Sequence, residues 1–226
     1  MIAVLIAGSV AMMLSLFGTR ALISFFDSIG KGQPILGSDD HGPVHHMKKQ
    51  GTATMGGIAI MVSAFVGWAV AHLRGGIALS DQAMIMWAIC GILSVVGFLD
   101  DFLKVRHAQN RGIFWKKKGQ ITFGLVVVMM TWLLLGTGVS ETLSFTRFDL
   151  PGWNLSPVLW VVWTSVMVWA TTNAVNVTDG LDGLAAGSAL FGFLAFTVIA
   201  YWAFRNPDIY NLVNPLDLAV FSAAMA

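Results

Sequence analysis

The sequence predicts an all-α, polytopic transmembrane helix bundle with six full spans, the start of a seventh, and the N-terminus outside. Three observations carry this. Of 226 residues, 56% are hydrophobic and 11% charged, against about 25% charged in an ordinary soluble domain. Mean hydropathy is +0.74, so lipid is the matching solvent for most of the chain. The apolar residues also gather into separate runs of about 20 residues, the length of one hydrocarbon crossing. Thirteen Lys+Arg against twelve Asp+Glu leave a net charge of +1, which argues against nucleic-acid binding, since that needs a basic face. A lone cysteine, Cys90, excludes a disulfide scaffold and sits mid-span as a small apolar residue.

The runs cover residues 1–26, 54–73, 82–99, 121–139, 158–177 and 184–204, and another begins near Leu216. The first lacks a basic leader and a small-residue cleavage site, so it reads as a retained span rather than a signal peptide. The last eleven residues would rise roughly 16 Å as helix, about half the hydrocarbon thickness. The chain therefore reads as the front part of a longer protein, with residues 1–226 as a single transmembrane domain.

Sidedness follows from the cations. Arg20, Lys31, Lys48, Lys49, Lys104, Arg106, Arg111, Lys116, Lys117 and Lys118 belong to the odd-numbered loops or their borders, and Arg74, Arg147 and Arg205 to the even-numbered ones. Ten against three puts the odd loops in the cytoplasm. Of the outer loops, residues 140–157 alternate weakly and fit a small hairpin or an interfacial segment.

The polar residues gather in three clusters, all on odd loops. Asp100 and Asp101 end span three. Asn173, Asn176, Asp179 and Asp182 recur every third residue at the end of span five, a spacing that stacks oxygen-bearing side chains along one helical stripe. Lys49, Thr52 and Thr54 lie in a Gly/Thr-rich segment after span one, suited to a loop whose N–H groups approach phosphate. Acids at the membrane boundary, on a side rich in Lys and Arg, point to a site for a cation and a polyanion; the adjacent Asp100 and Asp101 repel each other and call for a cation. The plainer readings are headgroup-level solvation for the Asp pair and a turn for the Asn/Asp/Gly run. Other motifs carry less. Residues 32–38 space glycines like a P-loop but lack its lysine, and His41, His45 and His46 lack zinc-ligand spacing. Lys116–Lys118 reads as topology and anionic-lipid contact. Trp153, Trp160, Trp163 and Trp169 read as belt and packing residues, and Gly183–Gly187 as a close-packing small-residue pair.

Taken together, His46-x2-Lys49-x-Gly-Thr-x-Thr-Met-Gly-Gly57, Asp100-Asp101 and Asn173-Ala-Val-Asn-x-Thr-Asp-Gly-Leu-Asp-Gly-Leu-Ala185 resemble the polyprenyl-phosphate N-acetylhexosamine-1-phosphate transferases, over the whole chain. The first motif resembles the muramoyl-pentapeptide branch in particular. The resemblance implies Mg²⁺-dependent transfer of phospho-MurNAc-pentapeptide from UDP-MurNAc-pentapeptide to undecaprenyl phosphate, giving lipid I and UMP for peptidoglycan synthesis. It implies a multi-pass protein of the bacterial cytoplasmic membrane, among membrane lipid, with the active site facing the cytoplasm; a homodimer is compatible with it. By the same resemblance Asp100 and Asp101 are catalytic, and Asn176, Asp179 and Asp101 stand near the metal. Lys49, Thr52, Thr54, Asn173, Asn176, Asp179 and Asp182 bind substrate. Two departures stand out: Ala53 replaces a usual proline, and the family has roughly ten spans, its later loops adding a further Mg-binding aspartate and a histidine-rich motif. The alternatives are a sister transferase using UDP-N-acetylglucosamine and a transporter, whose acids would normally sit near the bilayer midplane rather than at span ends.

Overall fold

The computed structural model describes residues 1–29, 56–74, 76–106, 113, 115–143, 152–179, 183–210 and 212–226. In chain order they form α1 (Ile2–Ile29), α2 (Gly57–Leu73), α3 (Asp81–Arg106), α4 (Trp115–Thr137), β1 (Thr142–Leu143), β2 (Trp153–Asn154), α5 (Pro157–Thr178), α6 (Leu184–Arg205) and α7 (Pro215–Met225). Helices α1, α3, α4, α5 and α6 are long and apolar enough to cross a membrane, while α2 and α7 are apolar and shorter. The protein is thus an all-α, multi-pass membrane bundle, as its composition predicts. The 17 residues of α2 rise about 26 Å, slightly less than a hydrocarbon core of about 30 Å. Residues 140–157 do contain a hairpin: β1 and β2 pair antiparallel, Thr142 opposite Asn154 and Leu143 opposite Trp153.

Helices form because lipid offers no partner to an unpaired backbone group. Their ends are marked in the sequence. Ser156 caps α5, its Oγ accepting from the Leu159 N–H at 3.4 Å, and Pro157 follows where a missing N–H costs nothing. Ser80 caps α3 by accepting from Ala83 N–H at 3.1 Å. Inside the spans, Thr131, Thr164, Thr172 and Thr197 each donate to the carbonyl four residues back at 2.8 Å, so these hydroxyls enter the apolar layer already paired.

Lipid tails are as apolar as leucine, so helix contact in a membrane depends on close fit rather than on escape from water. Two kinds of fit divide the bundle. Between α1, α2 and α7 the buried residues are small, with Ala7, Ala11, Ala64, Ala71 and Ala224 around Trp68 and Phe221, and Cys90 packs against this group half-buried. A Cβ at Gly67 would lie 2.6 Å from the Ala7 carbonyl oxygen and 2.9 Å from Ala11 Cβ, so glycine is what lets α1 and α2 touch. Between α3, α4 and α5 larger side chains interdigitate: Ile85, Ile89, Val126, Met130, Leu134 and Trp160. Helix α6 lies along α7 and meets α5 only lightly.

One packing expectation is corrected. A Cβ at Gly183 or Gly187 would meet nothing within 4 Å, so this pair makes no close contact among the described residues. Gly183 instead takes φ +78° ahead of α6, a left-handed backbone that a side chain would strain. The tryptophans divide between the two roles expected of them: Trp160 is buried in the α3–α4–α5 group, and Trp153 is exposed on the hairpin.

Candidate active site at the ends of α3, α4 and α5

Because α3, α4 and α5 pack as consecutive neighbours, the C-terminal turns of α3 and α5 meet the N-terminal turns of α4. Asp100 lies on the last turns of α3 and is only 4% exposed. Its Oδ2 accepts from Lys118 Nζ at 2.7 Å and sits 2.9 Å from Lys104 Nζ. Its Oδ1 accepts from the Ile113 N–H at 2.8 Å. Lys104, three and four residues beyond the acids and so on their helix face, also donates to Asp101 Oδ1 at 3.1 Å. The repulsion that called for a cation is therefore answered by two ammonium groups. The polypeptide behind Lys118 is braced as well: Thr122 Oγ1 donates to the Lys118 carbonyl at 2.8 Å, and Trp169 Nε1 donates across from α5 to the Gly119 carbonyl at 3.1 Å.

Lys118 also borders a groove of about 250 Å³, and across it stand Asn173, Asn176 and Asp179. The every-third-residue stripe is thus realised: α5 stays helical through Thr178, Asp179 caps it, and three oxygen-bearing side chains follow one edge of the groove. Leu93, Val96, Gly97 and Val175 form its apolar part. A larger cavity, about 370 Å³, opens by the start of α7. The carboxylate on its border, Asp217, is already fully engaged by protein donors, so the smaller groove is the candidate site.

Of the sequence-predicted residues, Asn173, Asn176 and Asp179 come together on the groove; Asp100 is joined to it through Lys118, and Asp101 is tied to Asp100 through Lys104. Lys49, Thr52, Thr54 and Asp182 lie outside the described residues. Lys118 is the groove residue that sequence reasoning missed: a triple-lysine run reads as a topology signal, and its carboxylate partner is on another helix. Lys104 was more legible, four residues after Asp100.

Among the described residues, no three His, Cys, Asp or Glu side chains assemble a metal cage. The donors present fit Mg²⁺ in its other mode, in which one or two protein oxygens hold the ion and substrate phosphates and water complete the shell. Asn176 and Asp179 offer such oxygens. Among the described residues the lining holds one ammonium, on Lys118, which Asp100 fixes at the groove.

The sequence that builds this site is similar to known proteins. The family model for glycosyl transferase family 4 matches residues 83–226, which include the Asp pair, Lys118 and the Asn/Asp stripe. The chain is similar to proteins named phospho-N-acetylmuramoyl-pentapeptide-transferase. That of Streptomyces griseus is 35% identical over 98% of this chain and 66% of the relative. That of Beutenbergia cavernae is 35% identical over 100% and 67%, and that of Mycobacterium leprae 38% over 98% and 65%. The chain spans about two thirds of the length of these curated relatives.

Proposed function

The chain belongs to glycosyl transferase family 4, and from that premise we propose that it carries active-site residues of a membrane transferase. The reaction moves phospho-MurNAc-pentapeptide from UDP-MurNAc-pentapeptide to undecaprenyl phosphate, giving lipid I and UMP. The observation that supports this reading best is the groove itself. It sets the Lys118 ammonium, held by a buried Asp100, opposite the Asn173–Asn176–Asp179 edge at the ends of three spans. A nucleotide arriving from water and a lipid phosphate arriving from the bilayer share one such boundary. The cation count places that boundary on the cytoplasmic side in this proposal, with residues 1–226 as one transmembrane domain.

In the reaction an oxygen of the lipid phosphate bonds to the sugar-linked phosphorus as the bond to UMP breaks. Phosphate esters have a second pKa of about 6, so the attacking group is largely ionised near neutral pH and requires little help from a base. Asp100, which already accepts from three donors, is suited to fixing Lys118 rather than to removing a proton. Lys118 presents positive charge at the mouth of the groove. The amides of Asn173 and Asn176 orient phosphate or sugar oxygens, and the apolar wall at Leu93, Val96 and Val175 suits the first lipid carbons. Asn176 and Asp179, with Asp101, would hold Mg²⁺, which when bound supplies charge neutralisation at the diphosphate. Lys49, Thr52, Thr54 and Asp182 complete the nucleotide side of the site in this reading.

The test is UMP release from purified protein given undecaprenyl phosphate and one donor at a time. Release with UDP-MurNAc-pentapeptide, dependent on Mg²⁺, supports the reading. Release with UDP-N-acetylglucosamine instead would assign the sister reaction.

A further inference from the structure

Trp169, on α5, stands beside the groove without lining it. The residue is half-buried, and its Nε1 donates to the Gly119 carbonyl on α4 at 3.1 Å. That carbonyl belongs to the residue next to Lys118. The Trp169 carbonyl in turn accepts from Asn173 Nδ2 at 2.7 Å. One residue thus reaches the backbone behind Lys118 on one wall of the groove and the Asn173 amide on the other. Trp169, Asn173 and Asn176 lie at i, i+4 and i+7 of α5, on one helix face.

The buried side chains that pack these helices together, from Val126 to Leu134 on α4 and at Trp160 on α5, sit in the middle and at the far ends of the helices. Nearer the groove, Trp169 supplies a hydrogen bond between α5 and α4, and its ring meets Phe123 edge-on at 6.0 Å between centroids. Apolar contact has no direction, whereas a hydrogen bond weakens steeply as its angle departs from the optimum. The Gly119 carbonyl already accepts from Thr122 Oγ1 at 3.0 Å, so α4 does not need the indole to satisfy it. What the indole adds is a directional tie between two helices at the level of Lys118.

We propose that Trp169 is a positioning residue: its N–H bond to Gly119 sets the width of the groove and holds the Lys118 ammonium where both walls engage one phosphorylated substrate. This role rests on the reaction proposed above. Asp100 fixes the ammonium from the α3 side, and Trp169 fixes the backbone behind it from the α5 side. Phosphoryl transfer depends mostly on placement and charge, so a shift of about 1 Å at this wall is felt in turnover more than in folding.

The test is Trp169→Phe, which keeps a ring against Phe123 and removes the N–H. In UMP release, kcat should fall about 10-fold with the donor KM little changed. The thermal midpoint should drop by no more than about 4 °C. Because Trp169 acts through Lys118, the substitution should cost nothing further in Lys118→Met protein. A loss that is equally large in that background overturns the role alone, as does unchanged turnover in Trp169→Phe. Near-normal turnover in Lys118→Met overturns the reaction proposed for this groove, and the role with it. The geometry has its own readout: spin labels at Lys117→Cys and Ala174→Cys, in Cys90→Ala protein, report the spacing of α4 and α5. Trp169→Phe should broaden their distance distribution, and a distribution that matches the parent's would contradict the proposal whatever the turnover.

Discussion

Asp100 and Asp217 look alike by residue type and burial, at 4% and 0% exposed, and each sits where a helix meets the membrane boundary. Their partners differ. Asp217 is held by an indole N–H, a backbone N–H and a hydroxyl, with His72 beside it; its donors come from α2 and the cap of α3. Asp100 is held by one backbone N–H and two lysines, and one of those lysines also forms the wall of a groove. Neutral donors aimed at a carboxylate from all sides spend their bonding capacity on the fold. An ammonium shared between a carboxylate and a groove retains protons and charge for a ligand. Under the proposed function, the comparison separates a structural aspartate from a working one where burial alone does not.

The largest effect should come from Lys118→Met. It keeps the length of the stem, removes the groove's ammonium and strips Asp100 of a charge partner, so turnover should drop by about 100-fold or more, in line with losing one charge-stabilising donor. UMP release normalised to folded protein measures it. Next in size is Asp217→Asn, which puts an amide where two Ser80 donors converge. Breaking one side of a buried charged network costs about 3 kcal/mol, read as a lower thermal midpoint, with turnover per folded molecule little changed. A smaller effect separates two glycines: Gly67→Ala should cost about 1–3 kcal/mol, because its Cβ must push α1 from α2, whereas Gly187→Ala should be nearly neutral. Sidedness is checked by labelling. With Cys90→Ala as background, a cysteine at Lys117 should react with an impermeant reagent only after the cytoplasmic side is opened, and one at Glu141 should react from outside. The reverse pattern would move the groove away from the nucleotide.

Much of this was legible in the sequence because the membrane simplifies the code. Apolar run length located each described helix, most closely α5, residues 158–177 against an observed Pro157–Thr178. It was least close at the charged ends of α3 and α4, where helix continues past the apolar run to Arg106 and begins before it at Trp115. Ser-Pro at 156–157 marked its start. The Asn/Asp stripe was readable because it lies on one helix at a fixed period. Partners on different helices were not: Lys118 with Asp100, and Trp68, His72 and Ser80 with Asp217, are 18 to 149 residues apart, and no periodicity links them. Asp217 did leave a signal, an acid at the head of an apolar run, which in lipid demands partners. Gly183–Gly187 misled because small residues four apart are permissive of close packing and do not require it.

The central claim is tested most directly by putting Asp100→Asn and Asp217→Asn through the same two measurements, thermal midpoint and UMP release per folded molecule. Asn keeps the shape of each side chain and removes one negative charge. The account predicts that Asp100→Asn loses turnover by about 100-fold or more with the protein still folded, while Asp217→Asn loses thermal stability and keeps its turnover. Near-normal turnover in folded Asp100→Asn protein would contradict it and move the chemistry away from this groove.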